Sequence, residues 1–229
     1  MKKQVVIVAG GKGLRMGADV PKQFLLLNGK PILMHTIEAF YNYDLNIDII
    51  VVLPKDQHPY WETLCENHKF SIEHRIVSGG ETRFHSVKNG LKFVEEHSLV
   101  AVHDGVRALV SKDTISKTFD AAEHYKMVCP TIPVTDSLRK TLSDKNKGVD
   151  RNAYCQVQTP QVFWASELLN AYKQDYSEQF TDDVSVVEAY RGVSPMLVAG
   201  SSENIKITTP FDLAVAETII RQRNMNYKL

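Results

Sequence analysis

A chain of 229 residues, 43% of them hydrophobic, is long enough to bury one full core. Its 27 basic and 27 acidic side chains cancel, which argues against a nucleic-acid-binding surface. Cys65, Cys129 and Cys155 are scattered and odd in number, so neither a disulfide framework nor a zinc site is expected, and buried or inert thiols are the default.

Strand-like and helix-like runs alternate along the chain, the pattern of βαβ units. The expectation is a single α/β domain over 1–229, Rossmann-like, with a mostly parallel sheet, helices on both faces and a protruding β-hairpin arm. Gln4–Val8 reads as the first strand, and Ile32–Tyr43 as a helix after Gly29-Lys30-Pro31. Ile47–Leu53 is the second strand, His58–His68 a helix and Ile72–Val77 a third strand. Thr82–Glu95 is a helix opened by Gly79-Gly80, with Val87, Leu91 and Val94 on one face. Leu99–His103 is a buried strand whose carboxyl end delivers Asp104, followed by a helix over Asp113–Tyr125 and a strand over Val128–Val134.

The stretch Asp136–Asn152 is polar and poor in core candidates. A turn at Asp144–Gly148 between Ser137–Leu142 and Val149–Tyr154 suggests a hairpin arm at about 136–154. Such an arm is marginal alone and needs a second surface to steady it. Ser166–Gln174 and Asp182–Tyr190 then read as helices, with Thr181 as the N-cap of the second. The last helix has a strong start: Thr209 as N-cap, Pro210 at the first position, Asp212 three residues after the cap. It runs to about Asn224.

Met1-Lys2-Lys3 leads straight into the first strand, without a signal-peptide core, and no apolar run reaches membrane-spanning length. A cytoplasmic protein with no membrane partner is expected. His58, His68, His74, His97 and His124 read as surface residues, His35 and His85 as helical, and His103 as alternating away from Asp104. No pair shows zinc-ligand spacing with a third ligand.

The most informative segment follows the first strand: Ala9-Gly10-Gly11-Lys12-Gly13-Leu14-Arg15-Met16-Gly17, then Pro21-Lys22-Gln23-Phe24. Glycines let backbone N–H groups turn toward an anion, and Lys12, Arg15 and Lys22 converge on the same place. The P-loop template fails for want of a trailing Lys-Ser/Thr. The dinucleotide fingerprint fails too: Met16 stands where its third glycine belongs, and Val52-Leu53-Pro54-Lys55 offers no ribose-binding acid. Asp104, at the carboxyl end of a strand, is placed to hold ribose, metal or acceptor hydroxyls. Asp182 and Asp183 look like a metal pair, but an acid serving a helix dipole is the simpler reading of at least one.

Ala9 to Leu25 resembles the nucleotide-binding signature of the 2-C-methyl-D-erythritol 4-phosphate cytidylyltransferases, CTP-using enzymes of non-mevalonate isoprenoid synthesis. The resemblance continues through Gly79-Gly80-Glu81-Thr82-Arg83-Phe84-His85-Ser86-Val87, Val102-His103-Asp104-Gly105-Val106-Arg107 and Val149-Asp150-Arg151-Asn152-Ala153. It ends with Gln158-Thr159-Pro160-Gln161, Thr181-Asp182-Asp183 and Asn204-Ile205-Lys206-Ile207-Thr208-Thr209-Pro210, in family order. Ala108 replaces a usual proline and Ser137 an often-found threonine, which bears only on fine positioning. Ribitol 5-phosphate cytidylyltransferases share most of these blocks.

The resemblance implies attack of a sugar-phosphate oxygen on the α-phosphorus of CTP, with pyrophosphate leaving. The nucleophile is already anionic, so cationic stabilisation and positioning dominate. Arg15 and Lys22 are the first choices for stabilising the transition state, with Lys12 on outer phosphates. Ala9, Gly10, Gly11, Gly13 and Gly105 are placed with the nucleotide, and Gly80, Glu81, Arg83 and Ser86 around the base. Arg107, Arg151 and Lys206 are assigned to the acceptor phosphate, Arg151 and Lys206 also to catalysis, with Thr159 and Thr181 as hydroxyl partners, Ser137 among the substrate-binding residues and Asp104 serving both substrates. The resemblance further implies Mg²⁺ held mainly by CTP phosphates with no dedicated protein metal site, and a homodimer through the arm. Arg151 ends that arm, so two placements stand open: its own protomer's site or, across the interface, the neighbour's. Two rivals stand beside this: a pentitol-phosphate cytidylyltransferase, and a non-catalytic nucleotide-sensing module, against which the acceptor-side cations argue.

Overall fold

The computed structural model describes residues 1–11 and 20–226. Strand β1 (Lys2–Val8) leads into the glycine turn. A small hairpin, β2 (Leu26–Leu27) and β3 (Lys30–Pro31), turns through Asn28 and Gly29 at φ 51° and 79°, the Asn-Gly chemistry of a tight hairpin. Helix α1 (Ile32–Tyr43) follows, then β4 (Asp48–Leu53), α2 (His58–Asn67), β5 (Arg75–Ser78) and α3 (Arg83–Leu91). The chain continues through β6 (Ser98–Asp104), α4 (Lys112–Ala122) and β7 (Met127–Pro133) to the arm, β8 (Leu138–Leu142) and β9 (Lys145–Val149). It closes with β10 (Cys155–Val157), β11 (Gln161–Trp164), α5 (Ala165–Ala171), α6 (Asp183–Arg191), β12 (Met196–Ala199) and α7 (Pro210–Asn226).

The main sheet runs β5-β4-β1-β6-β11-β7, with β10 beside the far end of β7 and β12 on its other edge. Strands β5, β4, β1 and β6 are parallel, as are β7 and β12, whereas β11 runs antiparallel to both β6 and β7. The mostly parallel sheet is thus as expected. Alternation along β1 sorts its side chains by face. Val5 and Ile7 pack with Leu33, Ile37 and Phe40 of α1 and Ile115 and Phe119 of α4. Val6 packs with Val87 and Leu91 of α3, Leu168 of α5 and Val187 of α6. Helices therefore cover both faces.

The structure revises several local expectations. The outer strand of the arm is Lys145–Val149, not Val149–Tyr154, and Arg151–Ala153 forms a 3₁₀ turn instead. Helix α3 stops at Leu91 rather than Glu95, and β5 begins at Arg75 rather than Ile72. The N-cap of α6 is Asp182, not Thr181: its carboxylate accepts the Ser185 N–H at 2.9 Å while the Ser185 hydroxyl accepts from Asp182 N–H at 3.2 Å. His74 is not a surface residue; half-buried, it accepts a hydrogen bond from Trp61 Nε1 at 2.9 Å. His58 is half-buried as well. Cys129 is buried and its thiol pushed by burial up to about 12, whereas Cys155 is exposed. The start of α7 is as read: Asp212 accepts the Thr209 N–H at 2.8 Å and the Thr209 hydroxyl accepts the Asp212 N–H at 3.2 Å.

Candidate active site

The chain moves from β1 outward to β4 and β5, then returns to lay β6 on the other side of β1. That reversal places a crevice between the carboxyl ends of β1 and β6, where open α/β sheets bind ligands. Val8 and Asp104 are in register there. Both strands then turn tightly: the Ala9 N–H donates to Val52 O and the Gly105 N–H to Val8 O, each at 2.9 Å. A Cβ on Gly105 would stand 2.8 Å from that of Ala9, so only glycine lets the two turns abut.

A cavity of about 370 Å³ opens at this point, walled by Ala9, Gly10, Gly11, Lys22, Gln23, Gly80, Glu81, Arg83, Ser86, Asp104 and Lys206. A second lobe of about 280 Å³ lies against it, walled by Arg83, Asp104, Arg107, Gln158, Thr159, Thr181 and Lys206 among others. Arg83, Asp104 and Lys206 border both. A larger groove of about 910 Å³ runs along the opposite, amino ends of the strands, past Lys2, Asp48 and Arg75, away from the glycine turn.

Lys22 enters the first lobe from a 3₁₀ turn set by Pro21 and pinned by Phe24, which is buried against Tyr60 and Trp61. Its stem crosses Gly11 so closely that a Cβ there would meet Lys22 Cε at 3.1 Å. Ser86 is buried, accepts the Gly80 N–H at 3.1 Å and donates to Thr82 O at 3.0 Å. It ties the Gly79-Gly80 loop to α3.

Asp104 is the electrostatic centre. Its carboxylate lies 2.9 Å from Lys206 Nζ and 3.5 Å from both Arg83 Nε and Arg107 Nε. Burial alone would raise its pKa, but Arg83, Lys206 and Arg107 outweigh it and hold the carboxyl well below the usual range. Arg107 is braced from behind by Asn204 O at 2.7 Å. The Thr159 hydroxyl, on a residue that lines the second lobe, is also engaged internally. It accepts the Asp104 N–H at 3.1 Å and pairs with His103 Nδ1 at 3.1 Å.

His103 faces away from Asp104, as its alternation implies, with its ring edge-on to Phe40. Burial pushes its imidazole down to about 3. An unfolded histidine titrates near about 6.5, so from there down to about 3 the unfolded chain takes up a proton that the folded one refuses. Its contribution to stability is complete above that window and is lost as pH falls through it, at up to about 1.4 kcal/mol per pH unit. The melting temperature should therefore fall between about pH 6.5 and pH 5, and fall less in His103→Gln. Equal slopes for the two proteins would contradict this assignment.

Lys12, Gly13 and Arg15 lie outside the described residues. Thr181 is exposed on the rim of the second lobe. Ser137 and Arg151 are exposed on the arm and its base, and the Arg151 guanidinium donates to Thr135 O. Neither borders the two lobes of its own protomer. Conversely, Gln23 carries no sequence signal of its own, although it sits inside the Pro-Lys-Gln-Phe block. It is fully buried and donates to Gln57 Oε1 at 2.7 Å. Of the acid pair, Asp182 serves the helix start as its cap, in line with the expectation for at least one of the two, whereas Asp183 is wholly buried and 2.7 Å from the Arg83 guanidinium.

Among the described residues, no group of three or more His, Cys, Asp or Glu side chains is arranged to hold a metal ion, and no helix is long and apolar enough to cross a membrane.

A model of the 2-C-methyl-D-erythritol 4-phosphate cytidylyltransferase family matches residues 4–222. Relatives bearing that name from Azobacteroides pseudotrichonymphae and Phocaeicola vulgatus are 55% and 54% identical to this chain, over 96% of it and 99% and 100% of their own lengths. The crystal structure of the protein of that name from Thermus thermophilus is 30% identical with a TM-score of 0.78, covering 96% of this chain and 100% of that one. The structure of 4-diphosphocytidyl-2C-methyl-D-erythritol synthase from Anaerococcus prevotii is 28% identical with a TM-score of 0.82, covering 96% of each chain.

Proposed function

The chain belongs to the 2-C-methyl-D-erythritol 4-phosphate cytidylyltransferase family, and from that premise we propose that it transfers a cytidylyl group from CTP to 2-C-methyl-D-erythritol 4-phosphate in the cytoplasm. An oxygen of the acceptor phosphate attacks the α-phosphorus of CTP, the new P–O bond forms, and the bond to the departing pyrophosphate breaks. The observation that carries this reading is the pair of adjoining lobes with Arg83, Asp104 and Lys206 as their common wall.

The acceptor phosphate is already an anion near neutral pH, so no side chain need remove a proton. The barrier is electrostatic: two polyanions must meet, and negative charge builds on the leaving group. In this reading the first lobe takes CTP. Backbone groups of Gly10 and Gly11 face the phosphates, Lys22 crosses above them, and the Gly80 loop braced by Ser86 receives the base. Arg15 and Lys12 join the phosphates from the glycine turn. The second lobe takes the acceptor, with its phosphate beside Arg107 and Lys206. Lys206 touches both lobes, which suits it to neutralise charge at the point of transfer.

The carboxylates among the described lining residues are Glu81, Asp104 and Asp182, and Asp182 is committed to capping α6. Such a sparse set fits Mg²⁺ that arrives on the triphosphate and keeps most of its water, with Asp104 the carboxylate common to both lobes. When bound, the ion would neutralise phosphate charge. The exposed arm supports a homodimer in which Arg151 completes the acceptor lobe of the other protomer.

Steady-state pyrophosphate release tests the reading. Release from CTP should require 2-C-methyl-D-erythritol 4-phosphate and be far slower with ribitol 5-phosphate. Faster turnover with ribitol 5-phosphate would reassign the acceptor. CTP binding without turnover on either acceptor would leave a nucleotide-sensing module.

A further inference from the structure

We propose that Asp183 and Tyr172, neither of which borders the cleft, are positioning residues that hold Arg83 in the wall shared by the two lobes. The inference rests on the cytidylyltransferase reading. Asp183 is the first residue of α6 and has no solvent exposure. A carboxylate serving only the helix dipole gains nothing from such burial, because desolvating a charge is costly unless partners satisfy it. Asp183 has those partners. One carboxylate oxygen lies 2.7 Å from a terminal nitrogen of Arg83, and the other accepts the Tyr172 hydroxyl at 2.6 Å. The Asp183 N–H donates to Gln161 Oε1 at 3.1 Å, which fixes the backbone that carries the carboxylate.

Tyr172 is held in turn by its ring, stacked on Phe84 at 4.7 Å and 16°, and Phe84 is the neighbour of Arg83 in the chain. The side chain of Arg83 and the backbone that bears it are thus both anchored to the α5–α6 layer. Burial and the nearby Asp183 push the Tyr172 hydroxyl well above its usual range, so it remains a donor.

The front of Arg83 tells the same story. Its Nε lies 3.5 Å from Asp104, a looser contact than the 2.9 Å between Asp104 and Lys206. Asp183 draws the guanidinium back, so Asp104 keeps Lys206 and the guanidinium stays in the lobe wall. A guanidinium has five N–H donors, more than these contacts use. With Asp183 neutral, Arg83 would close onto Asp104 and compete with Lys206 for it.

Asp183→Asn preserves shape: its amide oxygen accepts from Arg83 and its NH₂ donates to the Tyr172 oxygen. Steady-state kinetics with each substrate varied should show kcat/KM reduced about 10–100-fold, with KM raised for both CTP and the acceptor because Arg83 borders both lobes. Tyr172→Phe keeps the ring stack and should lose roughly 3–10-fold in the same direction. In an Arg83→Gln background, adding Asp183→Asn should change kcat/KM less than about twofold, since its effect runs through the missing arginine. Wild-type constants in a folded Asp183→Asn, or full additivity with Arg83→Gln, would overturn the proposal. If Asp183→Asn does not fold, Tyr172→Phe decides the matter: unchanged constants overturn it. An inactive wild type would instead count against the cytidylyltransferase reading itself.

Discussion

Replacing Lys206 with alanine is expected to lower kcat by roughly 10²–10³-fold, the usual consequence of deleting one well-placed donor at a developing charge. The thermal midpoint should barely move. These two expectations separate because of how the residue is held. The side chain of Lys206 is 42% exposed, and an ion pair that wet adds little to stability even at 2.9 Å from Asp104. Its backbone is pinned independently: Ile207 is fully buried against Leu27 and Val106, and its N–H donates to Val106 O at 3.0 Å. Deleting the lysine side chain leaves that anchor intact. Asp104 also keeps Arg83 and Arg107, so it stays ionised. Lys206→Arg should recover part of the loss, because it restores the charge but offers a broad fork in place of a compact ammonium. Pyrophosphate release at saturating substrates and scanning calorimetry on the same samples provide the readout. Wild-type kcat in Lys206→Ala would remove Lys206 from the chemistry, and a drop that parallels a fallen midpoint would make it structural.

How much of this is legible in the sequence depends on the kind of signal. The apolar runs that form β1, β4 and β6 are buried on both faces, and such runs are hard to misread. Helix α1 has its expected bounds, Ile32–Tyr43, and α7 carries its cap in plain view. The arm differs. Nearly every residue of β8 and β9 is exposed, so no inward-facing set pins the register, and the second strand starts four residues earlier than expected. Strands β10, β11 and β12 escape notice because they are only three or four residues long.

The site divides along the same line. Its loop residues are legible because they sit in contiguous blocks after strand ends. The buried support is not. Arg83 and Asp183 are 100 residues apart, and nothing local to either says that they meet. An acid at the start of a helix has an ordinary local explanation, and only the fold reveals that this one faces inward. The Asp182-x-x-Ser185 capping pattern, by contrast, is readable and marks Asp182 over Thr181 as the cap.

The arm yields the prediction with the sharpest outcome. Mixing Arg151→Ala protein with Lys22→Ala protein, each expected to be reduced roughly 10²–10³-fold alone, should restore activity to about a quarter of the wild-type level at equal ratio. The fraction follows from counting sites. If Arg151 serves the neighbour, the mixed dimer holds one site with intact Lys22 and a partner arm with intact Arg151, and one site lacking both. About half of randomly exchanged dimers are mixed, and half of their sites work. If Arg151 serves its own protomer, both sites of a mixed dimer lack one cation and nothing is recovered. The geometry favours sharing. Arg151 is exposed, donates to Thr135 O and is not among the described residues that wall the two lobes of its own protomer. Leu142, Tyr154 and Val157 are exposed apolar residues on and beside the arm, the kind of surface that a second copy would cover. A lone two-stranded ribbon is marginal in water, so a contact that steadies it also positions Arg151. The measurement is pyrophosphate release after incubation long enough for subunits to exchange, with exchange verified by co-purification of differently tagged protomers. No recovery despite verified exchange would confine Arg151 to its own subunit or remove it from the reaction.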